Sequence, residues 1–480
     1  MNRRIIFHTV GRIIRLEAAL LLLPMAVALW YGESCAWALL AAAAVALAVG
    51  TAMTRWSKPS SQTFFAREGF VIVAMAWVSM SLIGMLPYWI SGEIPAWVDA
   101  FFETVSGFTT TGVTILTDIE AMSHGLLFWR SFTQWIGGMG VLVLIMAIVP
   151  TESGRSIHIM RAEMPGPIVG KLMPRLKDSA RVLYVMYVVL TLAQIPLLLA
   201  GGMPLFESVT HAMTTAGTGG FSVKANSFAD YSPYLQGVTV VFMLLFGVNF
   251  NIYYLALRRK VREIWRSVEL WTYLGIIIAG VLLVAVSISA LYDDVGEILR
   301  LSVFQVVSIL TTTGYSSANF DLWPELAKNV LLIMMFLGAC AGSTSGGLKI
   351  SRAILLVKMA RRELKRMIHP RSVGVIQFEG KRVSDATLHN VCMYFILYCL
   401  IQVALTLFLC HNPFSLESNL AAAATCFNNS GPGFGIVGPA SHYSYYDTIS
   451  KFVLAIAMFF GRLEIYPMLL ALSPATWTKE

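Results

Sequence analysis

Charge is what this sequence has least of. Only 13% of its 480 residues are Asp, Glu, Lys or Arg, against about 25% in an ordinary soluble domain. A soluble chain that is 57% apolar would expose patches that drive aggregation, so a soluble globular fold is excluded. Short alternating apolar and polar segments are missing too, and with them a β-barrel. The six cysteines include no Cys-x-x-Cys pair, so neither a zinc site nor a disulfide framework is indicated. They lie in or beside apolar runs and read as small buried hydrophobes. No His-Glu-x-x-His motif occurs, and the eight histidines show no paired spacing. An intramembrane enzyme would need such groups converging at membrane depth. His124 and His211 read as core or surface residues near an outer mouth.

What is present is a series of apolar windows about 20 residues long, the length that crosses a bilayer, with a mean hydropathy of +0.69. The expected class is an all-α polytopic membrane protein with no catalytic residues. Arg3, Arg4, Arg12 and Arg15 precede an apolar run from Leu16 to Tyr31. No clear cleavage site follows, so it reads as a retained helix over about 12–31 and not as a signal peptide. A second span covers about 35–54.

Thereafter one pattern recurs four times: span, short segment, Gly-containing loop, span. The spans lie at about 68–90 and 125–149, 181–201 and 233–257, 269–292 and 328–358, and 386–410 and 447–472. The short segments lie at about 97–108, 204–215, 296–310 and 416–427. None can cross ~30 Å of hydrocarbon. They fit re-entrant half-helices, which are tolerated where they line a cavity or are buried in protein. The expected units are 1–66 (two N-terminal spans), 67–150 (repeat 1), 151–266 (linker and repeat 2), 267–358 (repeat 3, with a broken inner helix) and 359–480 (linker and repeat 4).

The net charge of +8 sits in the links, chiefly Arg155 to Arg181, Arg258 to Arg266 and Arg361 to Arg382. This is the positive-inside pattern and no sign of nucleic-acid binding. It places the links and the N-terminus in the cytoplasm. The short segments carry acids instead, among them Glu93, Asp99, Glu103, Asp118, Asp294 and Asp321. An acidic outer mouth concentrating cations is therefore expected, though carboxylates simply solvated in outer loops account for any single one.

The loops carry the chemistry. Ser106-Gly107-Phe108-Thr109-Thr110-Thr111-Gly112-Val113 has a second copy, Ser308-Ile309-Leu310-Thr311-Thr312-Thr313-Gly314-Tyr315. Weaker relatives are Thr214-Thr215-Ala216-Gly217-Thr218-Gly219-Gly220-Phe221 and Asn428-Asn429-Ser430-Gly431-Pro432-Gly433-Phe434. A dehydrated potassium ion needs several oxygens at once, and inward backbone carbonyls supply them. Glycine relieves the strain of such backbone. A half-helix ending there aims its negative dipole end at the cation. The expected potassium-binding positions are Thr110, Thr111 and Gly112; Thr218 with Gly219 and Gly220, either of which fills the glycine position; Thr312, Thr313 and Gly314; and Asn429, Ser430 and Gly431.

The chain resembles the membrane subunit of the Trk/Ktr/HKT superfamily of potassium transporters, in its bacterial Trk type. Besides the four loops, the resemblance rests on Arg67-Glu68-Gly69-Phe70, Gln134-Trp135-Ile136-Gly137-Gly138-Met139-Gly140, Arg161-Ala162-Glu163-Met164-Pro165-Gly166-Pro167, Arg362-Glu363-Leu364-Lys365-Arg366 and Gly461-Arg462-Leu463-Glu464. It rests also on the run from Gly338 through Ala339-Cys340-Ala341-Gly342-Ser343-Thr344-Ser345-Gly346-Gly347-Leu348 to Lys349. The resemblance implies four pore-loop units about one central pore, preceded by two extra helices. It implies a homodimer in the bacterial inner membrane, a cytosolic nucleotide-binding ring as regulator, and potassium, rubidium or sodium as cargo with no covalent cofactor.

The run from Gly338 to Lys349 interrupts an apolar stretch with glycines and hydroxyls. Such backbone at membrane depth should line a cavity, and the resemblance implies a gate below the filter built from Gly338, Gly342, Ser343, Thr344, Ser345, Gly346, Gly347 and Lys349. A phosphate-binding loop is set aside because Leu348 breaks the Gly-Lys-Ser/Thr ending. Helix packing through small residues is the plainer alternative. Arg462 falls within an apolar span, where an arginine usually faces a polar interior. The resemblance makes it a barrier in the pore; an ion pair with Glu464 is the alternative, disfavoured by a spacing of two residues. Potassium uptake is the leading function, with sodium- or proton-coupled symport as its variant. The basic run from Lys358 to Arg382 reads as docking surface, for the ring or for anionic lipid.

Overall fold

The computed structural model describes residues 2–58, 66–140, 176–372 and 374–477. The second half of the span expected at 125–149, the first part of the link that follows, and the motif at 161–167 lie outside the described residues. Among the described residues the fold is helical. Its one sheet is the small hairpin of Gln377–Phe378 and Lys381–Arg382, with Gln377 opposite Arg382. Among the described residues, six helical stretches are long and apolar enough to cross a membrane, and a further bent pair qualifies as one broken span. The protein is a polytopic all-α membrane protein.

The N-terminal pair is Arg3–Leu20 with Leu22–Tyr31, then Cys35–Trp56. The first helix starts earlier than its apolar run, because the basic residues before it are helical too. It breaks at Leu21, where the Pro24 ring crowds the Leu20 carbonyl and donates nothing to it. The Gly32-Glu33-Ser34 turn does more than reverse the chain. Its Glu33 carboxylate accepts from the backbone N–H groups of His124 (2.8 Å) and Gly125 (2.9 Å). It thereby satisfies orphan donors at the positive end of the helix His124–Gly138. Burial works against the Glu33 charge, but the Gly125 and His124 N–H groups and the His124 ring outweigh it and hold the carboxyl below its usual range.

The four short segments are helices Trp97–Phe108, Leu205–Gly217, Val295–Leu310 and Leu416–Asn428, of 12, 13, 16 and 13 residues. At 1.5 Å per residue they reach only ~18–24 Å. Capping starts two of them: Asp294 accepts from Gly296 and Glu297, and Ser415 from Ser418. Their last turns are buried throughout, hydroxyls included, at Thr104, Thr214, Ser308 and Thr425.

Two expected spans in the four repeats prove broken. The stretch at 233–257 is Pro233–Gly247 and Phe250–Leu257, bent by 90°. The break comes at Asn249, whose side chain caps the second piece by accepting from Asn251 N–H at 2.9 Å. The stretch at 447–472 is Thr448–Arg462 and Ile465–Leu472, with Glu464 at φ +63° between them. Here Pro467 is the cause, since its ring would clash with the Leu463 carbonyl in a continuous helix. Arg462 therefore ends a helix and does not lie inside one. The third break was expected: Glu325–Phe336 and Ile350–Ile368 flank a non-helical stretch.

Candidate functional site

The four short helices end in the same backbone conformation. Thr110, Thr218, Thr312 and Asn429 all adopt left-handed φ, at +55°, +51°, +55° and +53°. The residue after each donates its N–H to the carbonyl five positions back: Thr111 to Ser106, Gly219 to Thr214, Thr313 to Ser308 and Ser430 to Thr425, at 2.9–3.1 Å. A glycine with positive φ follows in every case: Gly112, Gly220, Gly314 and Gly431. The register thus aligns Gly220, not Gly219, with the other three glycines. Three of the left-handed positions are threonine, where a β-branched side chain makes that conformation an outlier. Strain of this kind persists where the surroundings over-determine it, and it clusters at functional sites.

These turns meet in a closed ring. A Cβ on Gly112 would sit 1.9 Å from the Gly219 carbonyl oxygen, and one on Gly220 1.9 Å from that of Thr313. Gly314 and Gly431 face each other, a Cβ on the former lying 2.7 Å from the Cα of the latter. The fourth turn returns to the first through Asn429 Nδ2, which donates to Thr111 Oγ1 at 2.7 Å. Asn429 also donates to the Met458 carbonyl at 3.0 Å. The unlike fourth sequence thus serves as the ring's side-chain clasp.

Supports behind the ring repeat between units 1 and 3. Ser106 and Ser308 hydroxyls donate to the carbonyls of Val113 and Tyr315, both at 2.6 Å. Thr109 pairs with Thr111, and Thr311 with Thr313, both at 2.8 Å. Unit 2 has Gly217 and Gly219 in place of that threonine pair and is held from outside. Gln134 donates to the Gly219 carbonyl at 2.8 Å and accepts from Phe221 N–H at 3.1 Å, while Tyr315 OH pairs with Thr214. Three oxygens at the ring, Thr110 Oγ1, Asn429 Oδ1 and Ser430 Oγ, are buried with no hydrogen-bond partner among the described residues.

On one side of the ring lies a cavity of about 90 Å³ whose lining includes Gly112, Gly220, Gly314 and Pro432. The expected acids do not line it; Arg130 and Lys224 do. The carboxylates are committed elsewhere. Glu103 forms a buried pair with Arg130 at 2.6 Å, and Asp99 pairs with Lys451 at 2.5 Å. Asp294 caps its helix, and Asp321 accepts from Gly435 N–H at 2.9 Å. His124 stacks on Tyr31 at 4.0 Å, and His211 bonds Glu207 and Ser222, which makes both structural.

On the other side lies the stretch expected as the gate. Thr312 Oγ1 accepts from Gly346 N–H at 2.7 Å and pairs with Ser345 Oγ at 3.0 Å. The loop is therefore tied directly to a ring residue. Lys349 Nζ donates to the Ser345 carbonyl. The break at Asn249 interlocks with the same loop: Phe250 N–H donates to Gly342 O, and Cys340 N–H to Gly247 O, both at 3.1 Å. A cavity of about 50 Å³ is lined by Gly342, Ser343, Ser345 to Gly347, Lys349 and Arg462, among others. Into it the Arg462 guanidinium donates three bonds of 2.6 Å, to the carbonyls of Thr344, Gly137 and Gly138. Glu464 has a different partner, Arg352, at 2.6 and 2.7 Å.

The family model for TrkH, described as a cation transport protein, matches residues 38–479. The chain belongs to the TrkH family. Among its relatives, the Trk system potassium uptake protein TrkH of Salmonella typhimurium is 34% identical over 484 residues, covering 99% of this chain and all of that one. The Trk system potassium uptake protein TrkG of Escherichia coli is 34% identical over 480 residues, covering 99% and 98%. The crystal structure of the potassium transporter TrkH from Vibrio parahaemolyticus superposes with a TM-score of 0.90 at 32% identity, over the whole of both chains. The family is one of transporters and not of enzymes.

Sequence reasoning missed several participants. Asn249 and Glu269 gave no local signal; Glu269 Oε1 accepts from Ala341 N–H in the loop at 2.7 Å. Gln134 stood in a motif noted for resemblance, and a glutamine on an apolar helix was itself the clue.

Proposed function

We propose that the chain takes up potassium across the bacterial cytoplasmic membrane. Potassium passes as cargo through the ring of Thr110–Gly112, Thr218 to Gly220, Thr312 to Gly314 and Asn429 to Gly431, and the chain uses no covalent cofactor. One observation carries this reading: four segments, two alike and two divergent in sequence, share one strained backbone conformation and close into a ring. Carbonyls there replace the hydration shell of the ion. The orphaned oxygens of Thr110, Asn429 and Ser430 suit an occupant that offers positive charge to their lone pairs. The units divide as 1–66, 67–150, 151–266, 267–358 and 359–480.

The loop from Gly338 through Gly342, Ser343, Thr344, Ser345, Gly346 and Gly347 to Lys349 is the gate, and Arg462 is both its latch and a charge barrier. The N-terminus and the basic links face the cytoplasm, as the positive-inside pattern asks. Two copies assemble, and the links receive a cytosolic nucleotide-binding ring. Coupling of potassium entry to sodium or protons is the second reading, which the conductive reading opposes.

Rubidium uptake into proteoliposomes holding the purified protein tests the proposal. Saturable rubidium entry, competed by potassium and indifferent to imposed sodium or proton gradients, is expected. Entry that follows one of those gradients would establish symport; absence of potassium competition would refute potassium as cargo.

A further inference from the structure

A second concentration of charge lies away from the permeation path, in the link between units 3 and 4. From Lys358 to Asp385 it carries eight lysines and arginines against three carboxylates. The helix Ile350–Ile368 leads out of the gate loop. The chain then folds back along it, so closely that a Cβ on Gly374 would sit 3.0 Å from the Arg362 side chain, and continues into the hairpin of Gln377–Phe378 and Lys381–Arg382. Between these parts opens a cavity of about 460 Å³. Arg362, Arg366, Arg371 and Arg382 line it, with Asp385 the one carboxylate in the described lining.

The arginines are under-neutralised. Arg362 is shared at 3.3 Å between Glu363 and Asp385, and Arg366 approaches Glu363 only to 4.0 Å. The guanidinium groups of Arg371 and Arg382 have no hydrogen bond or ion pair among the described residues. Beside them stand exposed apolar side chains: Leu364 (61%), Met367 (78%), Ile368 (73%) and Val375 (47%). Basic groups interleaved with exposed apolar ones mark a segment lying at a membrane surface. Position agrees, since Asp385 both lines the cavity and begins the 25-residue span Asp385–Leu409, whose Ile396 and Leu400 are exposed along its length.

We infer that this cavity binds the phosphate headgroup of an anionic phospholipid, with the acyl chains running along the span that starts at Asp385. Guanidinium forks match phosphate oxygens in pairs, and four from two chain segments converge here. The basic face of a nucleotide-binding site would not need the apolar neighbours; a lipid uses both. The inference goes beyond ion uptake and stands or falls separately from it.

The test counts phosphatidylglycerol molecules retained by the purified full-length protein in neutral detergent, by native mass spectrometry across a lipid titration. Phosphatidylcholine is the zwitterionic control. Each cation near an anionic surface contributes roughly five-fold in affinity, so Arg371→Gln with Arg382→Gln should weaken the tightest phosphatidylglycerol site about thirty-fold. Arg258→Gln with Arg259→Gln, on another basic link, should leave it unchanged. Arg371→Lys with Arg382→Lys, which keeps charge and loses the forks, should fall between. Equal retention by the wild type and the Arg371/Arg382 glutamine variant overturns the proposal, as does equal loss in the Arg258/Arg259 control. Displacement of the lipid by millimolar inorganic phosphate assigns the cavity to a soluble anion and overturns the lipid. Lost capture of a cytosolic partner protein with lipid retention intact makes it a protein-docking surface and overturns it equally.

Discussion

Arg462→Ala removes the three 2.6 Å bonds that its guanidinium makes to Thr344, Gly137 and Gly138. Of these three, the Thr344 bond reaches the proposed gate loop, and that bond must break if the loop moves while the end of helix His124–Gly138 stays. A hydrogen bond from a charged donor is worth about 1.5–3 kcal/mol, so its loss eases displacement of the loop roughly 10- to 150-fold. The charge acts separately. At an effective dielectric of about 20 and a distance of ~8 Å, a fixed cation opposes a passing one by about 2 kcal/mol, or about thirty-fold in rate. Both effects push the same way, so rubidium flux into proteoliposomes should rise at least ten-fold at matched protein density. Arg462→Lys separates them. A compact ammonium cannot hold three carbonyls in one plane, but it keeps the charge, so its flux should lie between alanine and wild type. Stability should hold in both variants. Glu464 is paired with Arg352, so removing Arg462 leaves that carboxylate its partner, and Gly138 lines a cavity from which water can reach a freed carbonyl. The reasoning is refuted if purified, monodisperse Arg462→Ala protein, made at wild-type yield, conducts no faster than wild type. Identical flux in the alanine and lysine variants would remove the charge barrier and leave the latch.

Gly112→Ala and Gly314→Ala should each abolish discrimination of potassium from sodium, because the added Cβ meets the neighbouring turn at 1.9 Å and 2.7 Å and φ there is strained by roughly 1–3 kcal/mol for any L side chain; competition of rubidium uptake by sodium reads this out, and intact selectivity in both would dismantle the ring as filter. Glu464→Ala should cost about 3–5 kcal/mol, since it strands the buried Arg352 guanidinium, and thermal unfolding in detergent measures it. Joint replacement by Arg352→Met and Glu464→Met should recover most of that loss, whereas a double variant as unstable as the single one would mean that the pair is not the reason.

The repeat was legible because its signal is periodic. Apolar length separates a spanning helix from a half-helix, and the expected short segment at 97–108 is the observed helix Trp97–Phe108. The loop from Gly338 to Lys349 announced itself by packing glycines and hydroxyls into an apolar stretch. The breaks at Asn249 and Leu463 did not, because one asparagine or one proline inside a hydrophobic window leaves hydropathy nearly unchanged. Both breaks nonetheless carry contacts with that loop: Phe250 to Gly342 after the first, and Arg462 to Thr344 before the second. The acids misled for a different reason. Composition counts a carboxylate as free charge, yet Glu103 and Asp99 are bound to Arg130 and Lys451, partners 27 and 352 residues away, and no local pattern announces such a pairing. The fourth turn shows the converse. Asn429 looked like a departure from threonine, but an amide has two donor hydrogens where a hydroxyl has one. It uses them on Thr111 and Met458 at once. A ring assembled from four consecutive units needs one joint between its last and first members, and a residue unlike the other three is what such a joint requires.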